Sequence, residues 1–299
     1  MKYTKYIKIL PLVMLFACGI FIHHAQAASI YGEHAAGIGA HDVFVLELFL
    51  DTESATVNTI DGTIAFSDPG AQVEVRDLSV AGSAFTVWPR KPSLSEKGDV
   101  VSFVGGVPGG ISGQHLSVCK IIISVTKESN LSVLGKNIVV YANDGKGTAV
   151  PLTMKFTTVS VGAAKSKPAD LWKDIIANDN TPPEPFTITL EQDKALYDGK
   201  KFVTFSTTDI DSGIDFYEVR EGASLPVRAS GTYVLIDQEH KNDITVIAHD
   251  TAGNVRKAVL PLASNRIHWI RVGIWTLALF CVFKIKTIWR IVKNLFKKK

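Results

Sequence analysis

Short runs of β-branched, aromatic and leucine residues follow one another from Ala28 to Val161, each closed by turn residues, and no stretch carries a helical period of useful length. The clearest are "DVFVLELFLD", "ATVNTIDGTIAF", "AQVEVRDLSV", "DVVSFVG", "HLSVCKIIISV", "KNIVVYA" and "AVPLTMKFTTVSV". Side chains alternate sides along a strand, so "VFVLELFL" sends Phe44, Leu46, Leu48 and Leu50 one way and Val43, Val45, Glu47 and Phe49 the other. The first row is a core face. The second is less polar than a face that meets only water. Number and spacing of the runs predict an antiparallel β-sandwich of about nine strands over residues 28–161.

Residues 162–181, which include "GAAKSKPADLWKDIIAND", read as a linker with one helical turn around Leu171, Trp172 and Ile175. The prolines of "NTPPEP" favour extended backbone and stiffen the entry to the next unit. Residues 182–264 carry "FTITLEQ", "KFVTFSTTD", "DFYEVREG", "GTYVLID", "DITVIAHD" and "VRKAVLPL", which predict a second sandwich of about seven strands. "DTAGN", Asp250 to Asn254, reads as a hairpin turn in which Gly253 supplies a positive φ.

The two ends differ from everything between them. Lys2, Lys5 and Lys8, the apolar "ILPLVMLFACGIFI" and the site Ala25-Gln26-Ala27 make residues 1–27 a secretory signal peptide. Leu15-Phe16-Ala17-Cys18 offers a lipobox instead, but Phe16 is bulky there and the cleavage site accounts for more residues. At the other end, Ile267 to Ile285 would make a helix of about 28 Å, just enough to span a bilayer, with Arg271 and Lys284 near its ends. A transmembrane helix is therefore expected at 267–286, flanked by Trp269 and Trp289. The basic tail 287–299, with no acidic residue, is expected in the cytoplasm. The competing expectation is an amphipathic helix lying on the membrane, since Ile285, Ile288, Trp289, Val292 and Phe296 recur at helical spacing. Either way the ends predict a protein held at the cell membrane with its N-terminal part outside.

The formal net charge of +3 comes from these ends. Three lysines lie in the leader and eight basic residues from Ile267 onward, which leaves 21 basic against 29 acidic residues between Ala28 and Arg266, a net −8. A segment so acidic has no nucleic-acid footprint. Of the three cysteines, Cys18 belongs to the leader and Cys281 to the expected span, so Cys119 stands alone in the ectodomain and no disulfide can form within it. Cys119 sits in "LSVCKIIISV", where a small buried hydrophobe is the expected role.

From "NTIDGTIAF" through a Trp-Pro loop ("FTVWPRKP") and a Gly-rich loop ("VGGVPGGISG") to "YANDGKGTAV", the order of motifs is similar to that of cohesin-like domains of bacterial surface proteins, a resemblance that covers some 130 residues in all. Those share a fold with certain carbohydrate-binding modules. The resemblance implies a nine-strand jelly-roll sandwich used for binding either a polysaccharide or a dockerin-type protein partner. "TPPEPF", "DIDSGIDFYEV" and "DTAGN" resemble bacterial Ig-like domains that act as spacers on cell surfaces, which implies an Ig-like β-sandwich at 182–264. The fold class expected is all-β.

Catalytic chemistry finds little to stand on. "VGGVPGGISG" comes within one residue of a phosphate loop, but Ile111 stands where lysine is needed and a β-rich run follows where a helix is needed, so no nucleotide is expected. His34, His41, His115, His240 and His249 lack ligand spacing, and neither a CxxC nor a Gly-x-Ser-x-Gly elbow occurs. An enzyme is not expected. For a sugar ligand the candidates are Trp88 and Tyr141, as stacking platforms near strand ends, with Asn143 and Asp144 beside them. No cofactor is required, and the inorganic candidate is Ca²⁺. Asp209, Asp211 and Asp215 alternate in "DIDSGID", and Asp179 and Asn180 lie at the junction between the expected domains. The competing account is Asx turns opening a hairpin, because Asp and Asn before Gly are what turns select. Together these point to a non-catalytic cell-surface binding protein taking a carbohydrate, with a docked protein or a structural envelope role as alternatives.

Overall fold

The structure is a computed structural model and describes residues 27–67, 72–156 and 158–262. The signal peptide, except Ala27, the membrane helix at 267–286 and the tail at 287–299 lie outside the described residues. Among the described residues no helix is long and apolar enough to cross a membrane. The chain forms two compact units. Among the described residues, the first comprises those up to Pro183 together with Thr208–Ile214 and Asp250–Asn254, and the second comprises Glu184–Thr207, Asp215–His249 and those from Val255 to Leu262.

The first unit holds eleven strands among the described residues: β1 (Ala28–His34), β2 (Val43–Asp51), β3 (Val57–Ser67), β4 (Val73–Ser79), β5 (Val87–Leu94), β6 (Val100–Ile111), β7 (Leu116–Val125), β8 (Ser129–Ala142), β9 (Ala149–Val150), β10 (Leu152–Lys155) and β11 (Thr158–Val161). They make a five-stranded sheet in the order β10-β1-β2-β7-β4 and a second sheet in the order β11-β8-β3-β6-β5, with β9 beside β8. The count exceeds nine for three reasons. β5, "VWPRKPSL", carries Pro89 and Pro92 and is an edge strand, the place where prolines are tolerated in a sheet. β1, "ASIYGEH", is short and precedes the clear runs. "AVPLTMKFTTVSV", read as one strand, is three: Pro151 separates β9 from β10, and the chain then passes from β10 in one sheet to β11 in the other.

The alternation in β2 is realised. Phe44, Leu46, Leu48 and Leu50 are buried in the core shared by the two sheets, against Ile60, Ile64, Phe103, Ile121 and Ile123. Part of the opposite face of this sheet is closed off as well. Val45 lies opposite Ile122 and Glu47 opposite Lys120, turned away from the shared core, yet Ile122 is fully buried and Lys120 nearly so. The cover is the stretch read as a linker. It contains an eight-residue helix, α1 (Leu171–Asn178), capped by Asp170, whose side chain accepts from the Lys173 N–H at 2.9 Å. Trp172 is buried, and its Nε1 donates to Asp77 Oδ2 at 2.9 Å, Asp77 being the register partner of Ile122.

Asp42 fastens the approach to the helix. Its carboxylate accepts from Gly39 N at 2.8 Å, Ala169 N at 2.8 Å and Lys165 Nζ at 2.6 Å. Burial alone would raise the Asp42 carboxyl, but these hydrogen bonds outweigh it and hold the group below the usual carboxylate range. The segment Thr208–Ile214 completes the cover. Lys120 Nζ donates to the Ile210 carbonyl at 2.9 Å, and Gly82 N donates to the Asp209 carbonyl at 2.8 Å. Burial pushes the Lys120 ammonium below its ordinary value, opposed by the charges of Glu47, Asp211 and Asp209.

The second unit has seven strands among the described residues: β12 (Ile188–Gln192), β13 (Lys201–Phe205), β14 (Ile214–Glu221), β15 (Val227–Ala229), β16 (Thr232–Val234), β17 (Ile244–Asp250) and β18 (Val255–Leu260). Three form a sheet in the order β12-β13-β16 and four in the order β15-β14-β17-β18. Its buried residues include Phe202, Val203, Phe205, Tyr217, Val219, Val246 and Ala248. The Tyr217 hydroxyl accepts from Thr207 N at 3.0 Å, and burial raises this phenol.

Candidate docking face and acidic cluster

The β8-β3-β6-β5 sheet presents the first candidate. In β3, Ile60 and Ile64 point into the core, so Thr59, Asp61 and Thr63 point out. Register aligns three rows across the four strands. Tyr141, Thr59, Gly106 and Val87 form one; Val139, Asp61, Val104 and Arg90 the next; Lys136, Thr63, Ser102 and Ser93 the third. The outward side chains of β3 and β6 in these rows are small or β-branched apart from Asp61, and they are flanked by Tyr141 and Lys136 on β8 and Arg90 on β5, with exposed apolar groups at Val87 and Leu134. Asp61 is the acidic group in the middle row, with Arg90 at its edge.

Of the residues expected to bind sugar, Trp88, Asn143 and Asp144 make internal contacts. Trp88 is half-buried against the core, its ring edge-on to Phe85 at 6.4 Å between centroids. Its Cη2 and Cζ3 lie 3.0 Å from where a Cβ on Gly105 would sit, so Gly105 is the space the indole needs. Tyr141 is half-buried in β8. Asn143 donates from Nδ2 to the Gly109 carbonyl at 2.8 Å and accepts from Asn58 Nδ2 at 3.2 Å. Asp144 closes the "NDGKGT" turn by accepting from Lys146 N and Thr148 Oγ1, which holds its carboxyl below the usual range. "VGGVPGGISG" is not a free loop either: β6 runs on to Ile111 with a register shift against β3, and Gly110, at φ 78°, lies under the Asn143 side chain. The contacts of Trp88, Asn143 and Asp144 make packing and turns.

The second candidate is a cluster of three buried carboxylates, Asp179, Asp209 and Asp250, all within the first unit. One oxygen from each lies within 4.8 Å of the others. The turns that the competing account expects are present and hold these side chains. Asp209 Oδ1 accepts from Ser212 N and Gly213 N, both at 2.9 Å, and from Asp211 N at 3.2 Å. Asp179 Oδ1 accepts from Thr181 N at 2.9 Å, and Asp250 Oδ1 accepts from Asn254 N at 2.7 Å. Asn254 ties two of the stretches together by donating from Nδ2 to the Asp179 carbonyl at 3.3 Å.

Of the metal candidates named from sequence, Asp179 and Asp209 meet. Asn180 and Asp215 are exposed, Asp211 is half-exposed, and none of these three joins the cluster. Asp250 is the member that sequence reasoning missed. "DTAGN" is the turn it was read as, with Gly253 at φ 95°, and that role hid the second carboxylate oxygen. Cys119 is fully buried and free, and burial pushes its thiol up, which suits a packing residue.

No protein-family model and no curated protein matches the sequence. Among solved structures, the chain is similar to a cohesin module from a family 33 glycoside hydrolase of Clostridium perfringens, at 12% identity and TM-score 0.38, over 46% of this chain and 99% of that one. It is also similar to a chain of a CaDoc0917–CaCohA2 complex, at 9% identity and TM-score 0.34, again over 46% of this chain and 99% of that one.

Proposed function

We propose that the first unit is a non-catalytic protein-docking module and that its partner lies on the outward face of β8, β3, β6 and β5. The observation that carries this reading is the contrast between the sheets. On one sheet the outward Ile122 and Lys120 are buried beneath α1 and Thr208–Ile214, while on the other the outward Thr59, Asp61, Thr63, Ser102, Val104 and Gly106 stay partly exposed. Small-molecule ligands usually take concave pockets, whereas the face of a sheet offers an extended surface to a macromolecular partner. Trp88 packs edge-on against Phe85 and the core, which favours a protein over a polysaccharide. The second unit then serves as the spacer, and the leader and C-terminal segment place the module at the cell surface. That placement is checked by protease treatment of intact cells: a protected ectodomain overturns it.

The docking reading is tested by affinity capture from the envelope fraction with the full chain and its Val104→Arg variant, beside a glycan array. The expected result is a defined protein captured by the parent chain and lost with Val104→Arg at unchanged melting temperature. A glycan signal that Trp88→Ala abolishes would sink it.

A further inference from the structure

We propose that Asp179, Asp209 and Asp250 form a calcium-binding site. The inference is independent of what the sheet face binds. Two observations carry it. The three carboxylates, each more than nine-tenths buried, bring one oxygen apiece to within 4.8 Å of one another. Separately, Asp179 Oδ2 and Asp250 Oδ2 are shielded from water and have no hydrogen-bond partner. A buried carboxylate oxygen with no donor is costly, and two beside a third carboxylate repel as well. A cation held among them removes both costs.

The donor set chooses the cation. Every candidate ligand atom is a hard oxygen, which selects calcium, magnesium or manganese over zinc and copper, for which nitrogen and sulfur ligands are the rule. The backbone is arranged around the free oxygens. Each Oδ1 named above is spent on an amide two to four residues ahead, which orients the carboxylate. Asn254 Nδ2 donates to the Asp179 and Thr181 carbonyls at 3.3 and 3.4 Å, which ties the loop of Asp250 to that of Asp179. Carboxylates brought from three separate loops suit the larger and more variable coordination shell of calcium better than the strict octahedron of magnesium.

The test uses the full chain stripped of divalent ions. Calcium and magnesium are titrated separately by calorimetry, and melting is followed with each salt and with a chelator. We expect saturable calcium binding and a melting midpoint raised by about 5 °C or more at about 1 mM calcium. Asp250→Asn and Asp179→Asn each keep an oxygen for the turn and lose a charge, so the metal-free variants melt close to the parent while calcium affinity falls at least tenfold. Asp215→Asn, exposed and outside the cluster, retains parental affinity. An unshifted midpoint in calcium, an equal shift in magnesium, or parental calcium affinity in both cluster variants overturns the assignment.

Discussion

The two sheets of the first unit share one core and differ in what happens on their outer sides. On the five-stranded sheet, Ile122 is as inaccessible as any core residue because α1 and Thr208–Ile214 lie over it. On the other, Val104 occupies the equivalent outward position and remains half-exposed. Both are β-branched residues in central strands, so nothing local separates them. The lesson is that an apolar outward residue in a strand does not say whether it is an internal or an external contact. Only the segments far along the chain decide that.

Matched substitutions exploit this pairing. Ile122→Arg forces an unpaired charge under α1 and is expected to cost about 4 kcal/mol or more, enough to leave much of the chain unfolded, as read by urea denaturation. A loss below about 1 kcal/mol would mean the cover lifts away readily. Trp172→Ala removes the largest side chain of the cover and its bond to Asp77, for an expected loss of about 3 kcal/mol by the same measurement, with faster amide exchange in β4 and β7.

Asp42→Asn is expected to cost about 1–2 kcal/mol, because three donors are left with weaker or missing acceptors. The pH dependence has a definite sign. The folded carboxyl of Asp42 sits below its unfolded value, so its contribution is fully present above about pH 4, the unfolded carboxylate range, and is lost as pH falls through the folded value. The Asn variant lacks that component of acid unfolding. Val104→Arg on the open sheet is expected to change stability by about 0.5 kcal/mol or less while abolishing partner capture. A large stability loss there would show that this face, too, is covered.

Much of the architecture was readable in advance. "VFVLELFL" assigned Phe44, Leu46, Leu48 and Leu50 to the core, and its other row, Val43, Val45, Glu47 and Phe49, carried the sign of a second covered face. What covers it was not readable. "PADLWKDIIAND" has linker composition, and eight residues of helix gain their stability from the sheet beneath, not from their own propensity. β5 was hidden by its prolines, whose tolerance depends on being at an edge. The acidic cluster shows the same limit. Asp179 and Asp209 drew notice because neighbouring Asp and Asn residues accompany them, whereas Asp250 has an ordinary place in a turn, and its partners stand far away in sequence.

The separation of those three aspartates has a further consequence. From 179 to 209 and from 209 to 250 the chain encloses loops of about thirty and about forty residues, the lengths at which closing a loop costs the unfolded chain appreciable entropy. The only cysteine among the described residues is buried and unpaired, so no sulfur bridge links those loops. An ion gripping all three carboxylates would act as a removable cross-link, staking three distant points of one chain together. The rigidity of this unit would then follow the ionic composition of its surroundings, tightening where calcium is abundant and slackening where it is scarce.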